Sequence, residues 1–159
     1  MSTQLEESGN YRRVRRPKDK EQLIAELRDE KDGAFREIRD VILFAGALGF
    51  ERDRYEEFTD LGETIRWETW TNRPFTEELV RLIAVARTDD KEMAAADRQG
   101  EQIAIFEAYA NGGLSVLNEA MRAAPTMSPL DVVLDLIARS KSGSTGVEAI
   151  IDLATGADL

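Results

Sequence analysis

A run of basic side chains near the N-terminus is the clearest chemical signal in the sequence. Arginine and lysine at high density neutralise nucleic-acid phosphates, and arginine also reaches base edges through two hydrogen bonds. The run therefore predicts a nucleic-acid contact, with DNA as the partner. The alternatives are a solvated tail, or a strand whose arginines pair with the acidic remainder of the chain. The six residues concerned are Arg12, Arg13, Arg15, Arg16, Lys18 and Lys20.

The charge of the chain is unevenly distributed. Its net charge is −10, from 21 basic and 31 acidic side chains. The first 50 residues hold ten of each kind, so the whole negative excess follows residue 50. An acidic body repels DNA. A DNA contact therefore has to be confined to the basic segment.

The side chains most used in catalysis are absent. The 159 residues include no cysteine and no histidine. This removes thiolate nucleophiles, zinc-thiolate sites and the usual general base near neutral pH, and we predict no metal and no cofactor. Carboxylate chemistry remains open, since Asp29-Glu30-Lys31 and Asp89-Asp90-Lys91 resemble fragments of magnesium-dependent nucleases. Both triplets fall where helices are predicted to begin or end, which favours a non-catalytic protein over a carboxylate-metal nuclease.

Two tryptophans lie in the best strand candidate, Ile65 to Trp70, which alternates and is rich in aromatic and β-branched residues. Odd and even positions of a strand point to opposite faces, so Trp67 shares the face of Ile65 and is predicted to be buried. Trp70 is then predicted to be exposed and to bind a partner. The alternative is that both rings are buried against helices.

Helical spacing dominates the rest of the chain. Asp19 is predicted to cap a first helix, and a second runs from Phe35 to Leu48 and ends at Gly49. Thr76 is predicted to cap a central buried helix, with Phe75 packing onto Val80.

Two signals divide the second half of the chain. Asn111-Gly112-Gly113 is predicted to end a helix that begins near Asp97, and a further short helix follows it. Ser128-Pro129 starts the next helix, and apolar residues from Val147 to Ala154 anchor the C-terminal end.

These elements predict a mainly α fold: a single compact domain of six or seven helices with a minor two-stranded β-ribbon. Residues 1–10 are predicted to be a disordered tail, and residues 11–159 to form the domain, with residues 11–20 as a basic N-terminal arm. Tyr11–Arg16 is the candidate partner of the strand near residue 65. The longest apolar run, Val41 to Phe50, is too short for a membrane span, and the N-terminus lacks a signal-peptide pattern, so we expect a cytoplasmic protein.

Three segments resemble one protein family. They are R-R-P-K-D-K-E-Q-L-I at residues 15–24, F-R-E-I-R-D-V-I-L-F-A-G-A-L-G-F at 35–50, and I-F-E-A-Y-A-N-G-G-L at 105–114. In order and spacing they are similar to DNA phosphorothioation-associated (Dnd system-associated) protein 4. The resemblance extends over roughly residues 15–120.

This resemblance implies a bacterial setting in which a backbone oxygen of DNA is replaced by sulfur and unmodified DNA is restricted, as an anti-phage defence. It brings no catalytic residues. Without cysteine the chain is not the desulfurase or the sulfur carrier, and without a phosphate-binding loop it is not an ATPase. The expected role is an accessory or adaptor protein that contacts DNA or protein subunits of the modification or restriction system.

A second resemblance concerns layout alone. Residues 11–48 follow the order of ribbon-helix-helix transcriptional regulators, in which a homodimer pairs its basic arms into a ribbon that enters the major groove. Arg13 and Arg15, or Arg12, Val14 and Arg16, would then face the bases. The long helical remainder is untypical of such regulators, so this is the second interpretation.

Overall fold

A computed structural model describes residues 12–143 of the chain, and the side chains of residues 12–140. The predicted tail at 1–10 and the predicted anchor at 147–154 lie outside the described residues. The described part contains two strands and six α-helices, which confirms the predicted mainly α fold with a two-stranded ribbon. The elements are β1 (Arg13–Pro17), α1 (Glu21–Leu27), α2 (Ile38–Glu51), β2 (Leu61–Arg66), α3 (Trp67–Trp70), α4 (Thr76–Thr88), α5 (Gln99–Ala123) and α6 (Pro129–Gly143).

The basic segment forms β1 and pairs antiparallel with β2. Arg13 lies opposite Arg66, Val14 opposite Ile65, and Arg15 opposite Thr64. Val14 and Ile65 are buried, whereas Arg13, Thr64 and Arg66 are exposed, so the ribbon has one apolar and one polar face. The predicted pairing of the two segments is confirmed. The basic segment is part of the fold, and not an arm separate from it.

The strand prediction for residues 65–70 is wrong in its second half. β2 ends at Arg66, and Trp67 begins α3, whose turn is closed by hydrogen bonds from the Thr71 amide and hydroxyl to the Trp67 carbonyl oxygen, at 2.9 and 3.1 Å. Because the backbone turns here, odd and even positions no longer separate the two tryptophans.

α5 is the most buried long helix, and it is continuous through Asn111, Gly112 and Gly113. The prediction that these residues end a helix is therefore wrong. A Cβ atom on Gly113 would lie 1.8 Å from the Ala45 carbonyl oxygen of α2, and one on Gly112 would lie 1.8 Å from the Arg54 carbonyl oxygen. The glycines let neighbouring backbone approach α5 closely, which outweighs their weak helix propensity.

α2 crosses α5 at this point and contributes small residues of its own. A Cβ atom on Gly49 would lie 1.9 Å from the Tyr109 carbonyl oxygen, so Gly49 lies inside the helix that it was predicted to end. The apolar stripe predicted for α2 is buried as expected, including Val41, Ile42 and Leu48.

Several predicted helix starts differ from the structure. A 3₁₀ turn of Lys18–Lys20 precedes α1, and Asp19 does not cap it. Phe75 precedes α4 with φ 70° and is 79% exposed, so it does not pack onto Val80, and α4 is less buried than predicted because Leu82 faces outward. Ser128 does cap α6: its hydroxyl oxygen accepts a hydrogen bond from the Asp131 amide at 3.1 Å.

Candidate nucleic-acid interface

Three of the six predicted DNA-contacting side chains bind α5. Arg12 donates a hydrogen bond to the side-chain oxygen of Gln99, and Lys20 Nζ lies 2.5 Å from the side-chain oxygen of Asn111. Arg15 binds Glu107, which lies between those two positions on the same helix. These three contacts hold the basic segment against α5. A strand whose arginines pair with the acidic body was one of the alternatives left open by the sequence, and Arg15 with Glu107 is such a pair.

The Arg15–Glu107 pair is the strongest of these contacts. Arg15 Nη2 and Nε lie 2.9 and 3.0 Å from the two carboxylate oxygens of Glu107, and the Arg15 amide donates to the same group at 2.5 Å. The Glu107 side chain is only 2% exposed. Burial raises the pKa of Glu107, while the hydrogen bonds and charge of Arg15 partly oppose that shift.

Arg16 is buried on the inner side of the ribbon. Its Nη2 atom lies 3.0 Å from the Glu63 carboxylate and 3.3 Å from that of Glu21, and its Nε donates to the Glu63 carbonyl oxygen at 3.2 Å. This side chain joins β1 to β2 and α1. It is not presented to solvent as a DNA contact requires.

Arg13 and Lys18 remain on the surface. Arg13 lies directly opposite Arg66 on the outer face of the ribbon and donates a hydrogen bond to the hydroxyl of Thr64 at 3.1 Å. Directly opposed residues on one face have Cβ atoms about 4.5–5.5 Å apart, and like charges in such pairs are destabilising. The ribbon therefore concentrates positive charge at this point.

Arg13 and Arg66 line an open groove of about 430 Å³ beside β2. Its other walls include Arg28, after α1, the start of α2 and Thr69 of α3. Five arginines line it, against two carboxylates: Arg13, Arg16, Arg28, Arg39 and Arg66, with Glu37 and Glu63. We call this the arginine groove.

Both carboxylates of the arginine groove are already paired. Glu63 binds Arg16, and Glu37 lies 2.7 Å from Arg39 Nη2 and 3.7 Å from Arg73. Arg39 is buried and also donates to the Thr69 carbonyl oxygen at 2.6 Å. The exposed arginines of the groove are therefore Arg13, Arg28 and Arg66.

Comparison with known proteins places the chain in a family. The model of the DNA sulphur modification system-associated protein 4 family matches residues 13–155 of the 159 residues. The chain belongs to this family. The resemblance seen in three short segments is thereby confirmed and extended over almost the whole sequence. Neither the search of curated proteins nor that of solved structures found a significant match.

In this member of the DNA sulphur modification system-associated protein 4 family, Trp70 is more buried than Trp67, which is the reverse of the prediction. Trp70, predicted to be exposed and to bind a partner, is fully buried, with its ring edge-on to Phe106 at 5.2 Å between centroids. Trp67, predicted to be core, is only partly buried. The helical turn of α3 directs Trp70 inward, so its ring is not available at the surface.

The two acidic triplets of this family member serve local turns. Asp29 accepts hydrogen bonds from the amides of Lys31 and Asp32 at 2.8 and 3.3 Å, which lowers its pKa. Asp90 accepts one from the Glu92 amide and binds Arg98. Among the described residues, no group of three or more acidic side chains is arranged to hold a metal ion.

In this member of the family, two of the three exposed arginines of the arginine groove were not predicted from the sequence. Arg66 falls in the predicted strand, and pairing it with the basic segment would have placed it near Arg13 if the register had been known. Arg28 follows α1, and its neighbours in the sequence do not predict a place at the groove, because only the packing of α1 beside the ribbon brings it there.

Of the described helices, none is both long and apolar enough to cross a membrane.

Proposed function

We propose that the chain is a cytoplasmic, non-catalytic accessory protein of a DNA sulphur modification system that contacts duplex DNA through the arginine groove. The observation that carries the DNA contact is the three exposed arginines, Arg13, Arg28 and Arg66, at a groove whose two carboxylates already pair with other arginines, in a protein with net charge −10. The association with a DNA sulphur modification system comes from the family, whose name states it.

The groove suits the phosphate backbone. Arginine binds phosphate oxygens with two parallel hydrogen bonds, and such charge-assisted bonds are stronger than neutral ones. A phosphate between Arg13 and Arg66 would relieve the repulsion of two like charges on opposed strand positions. Contacts of this kind position a protein on DNA and are independent of base sequence.

The geometry of β1 disfavours the regulator interpretation. A ribbon-helix-helix protein needs the basic strand to pair with its copy in a second subunit. Here one edge of β1 pairs with β2, and on the other edge the Arg15 amide donates to Glu107. Both edges are used within the chain, so we propose backbone contact and not operator recognition.

The absence of histidine and cysteine supports a non-catalytic role. The acidic triplets form turns, as described above. Incubated with magnesium or manganese, the purified protein should leave plasmid and single-stranded DNA intact. Cutting that disappears in Asp29→Ala or Asp90→Ala would contradict this part of the proposal.

Fluorescence anisotropy with a labelled duplex tests the DNA contact. A variant combining Arg13→Ala, Arg28→Ala and Arg66→Ala should bind at least about tenfold more weakly, equivalent to about 1.4 kcal/mol. The matched control combines Arg52→Ala, Lys91→Ala and Arg122→Ala, which removes the same charge from exposed positions outside the groove. Equal losses in both variants, or no binding by the wild type at low salt, would contradict a groove-specific contact.

Contact with a protein subunit of the system is a second candidate, favoured by a separate surface. Phe75 has the left-handed φ of 70° and is 79% exposed, and Leu82 on α4 is 66% exposed. A bulky residue in this conformation is strained, and an exposed aromatic ring is typical of binding surfaces. Phe75→Ser with Leu82→Ser should prevent co-purification with the modification proteins if this surface is used, and unchanged co-purification would exclude it.

A further inference from the structure

Arg16 is a buried arginine of the groove whose nearest charged partner lies in solvent. The Arg16 side chain is 3% exposed, whereas that of Glu63 is 85% exposed. Arg16 Nη2 donates a hydrogen bond to the Glu63 carboxylate at 3.0 Å, and both residues line the arginine groove. The carboxylate therefore reaches this guanidinium from the solvent side.

The carboxylate of Glu63 marks a position from which an anionic oxygen binds Arg16. A guanidinium offers its N–H donors in a fixed plane, and carboxylate and phosphate oxygens bind these donors with the same geometry. The group that holds the position is itself mostly solvated. A phosphate oxygen in its place would contact Nη2 without entering the core.

We propose that Glu63 is an autoinhibitory residue of the arginine groove. Its carboxylate occupies the phosphate position of Arg16 and limits the wild type to contacts by the three exposed arginines. When Glu63 is displaced or uncharged, Arg16 supplies a fourth phosphate contact. This inference rests on the DNA contact proposed above and concerns the regulation of that site.

The contact between Glu63 and Arg16 is of a kind that is readily displaced. An ion pair with a solvent-exposed partner contributes little to stability, because water competes for both charges. Without the Glu63 carboxylate, Arg16 keeps the Glu21 carboxylate at 3.3 Å and the Glu63 carbonyl oxygen at 3.2 Å. Its buried charge is not left unpaired, which is the condition that makes the loss of a buried ion pair costly.

Glu37, the other carboxylate of the groove, is held more firmly. It lies 2.7 Å from Arg39 and 3.7 Å from Arg73, so two arginines bind it. Glu63 makes its side-chain ion pair with Arg16 and is the more exposed of the two carboxylates. We therefore assign the autoinhibitory role to Glu63.

Glu63→Gln tests the proposal, because it removes the charge and retains the shape of the side chain. In fluorescence anisotropy at about 50 mM salt, a labelled duplex should bind about tenfold more tightly, the gain expected from one charge-assisted contact. The slope of log affinity against log salt should change from about −2.7 for three phosphates to about −3.6 for four. Glu57→Gln, exposed and outside the groove, makes the same change in net charge and should keep the wild-type slope.

A second variant tests whether the gain passes through Arg16. Adding Arg16→Gln to Glu63→Gln should return the slope to about −2.7, with circular dichroism as the check of the fold. Equal slopes and affinities for Glu63→Gln and Glu57→Gln overturn the inference, whatever the double variant does. The DNA contact itself then still stands if wild-type binding depends on the three exposed arginines, whereas no duplex binding by any of these proteins overturns both.

Discussion

Arg13 and Arg15 are two residues apart on one strand and share its outer face, yet their surroundings give them different roles. Arg15 lies beside a buried carboxylate, which engages both its guanidinium and its amide. Arg13 lies opposite another arginine and donates a hydrogen bond to a threonine hydroxyl. The availability of a charge is thus decided by its neighbours across the fold and not by its position in a basic run.

Glu107 should give the protein a pH-dependent stability. Its folded pKa is raised above the ordinary value of 4.5. The folded state therefore binds this proton more tightly than the unfolded state, and the resulting stabilisation is present below pH 4.5 and lost as the pH rises through the folded pKa. In urea unfolding from pH 4.5 upward, the stability of the wild type relative to Glu107→Gln should fall over this window. Parallel profiles for the two proteins would contradict the burial of an ionisable Glu107.

The two tryptophans should differ in fluorescence. Trp67→Phe leaves only the buried Trp70, which should emit at shorter wavelength and resist acrylamide quenching. Trp70→Phe leaves the partly exposed Trp67, whose emission should be quenched more strongly. Trp70→Ala should lower the free energy of unfolding by about 3–5 kcal/mol, as expected for removal of a buried aromatic ring. Equal quenching of the two single-tryptophan variants would contradict the assignment.

At the scale of elements, the crossing of α2 and α5 organises the molecule. Backbone atoms of the two helices approach each other where Gly49 and Gly113 leave no side chain. The same helix α5 offers Gln99, Glu107 and Asn111 to the basic segment. One helix therefore fixes both the core and the position of β1, which in turn places Arg13 at the groove.

Gly113→Ala should be strongly destabilising. The new Cβ atom would lie 1.8 Å from a backbone carbonyl oxygen, which cannot rotate away as a flexible side chain could. We expect the free energy of unfolding to fall by about 3 kcal/mol, near the upper end for overpacked sites. Gly100→Ala on the same helix is the matched control, since nothing lies within 4 Å of its Cβ position, and it should stabilise by about 0.5–1 kcal/mol. Similar urea midpoints for the two variants would exclude the tight crossing.

At the scale of the whole molecule, most of the surface repels DNA. The net charge is −10, so the attraction of three exposed groove arginines for phosphate has to exceed the repulsion between DNA and the rest of the protein. Long-range repulsion is screened by salt within about 10 Å at 0.1 M, while each phosphate contact is weakened by added salt. The groove contacts should dominate the salt dependence.

Duplex binding should weaken by about 40-fold between 50 and 200 mM salt, because three neutralised phosphates give a slope of about −2.7 in log affinity against log salt. Anisotropy titrations at several salt concentrations measure this slope directly. The variant lacking Arg13, Arg28 and Arg66 should show a much shallower slope, and the charge-matched control should keep the wild-type value. A wild-type slope near zero would contradict phosphate contact.

The sequence by itself determined the helical class, the start of a helix at Ser128-Pro129 and the family. These depend on spacing, on local hydrogen bonding and on characteristic segments, which are all properties of neighbouring residues. The sequence offered Tyr11–Arg16 as a candidate partner of the strand near residue 65, and the structure decided that pairing. Only the tertiary structure decided that Gly112 and Gly113 continue a helix, because the reason is the backbone of another element lying against them. It also decided that Trp70 is buried. It decided that Arg12, Arg15 and Lys20 bind side chains of α5, and that Arg28 and Arg66 lie at the same groove as Arg13. Each of these contacts joins residues distant in sequence, and no local pattern encodes them.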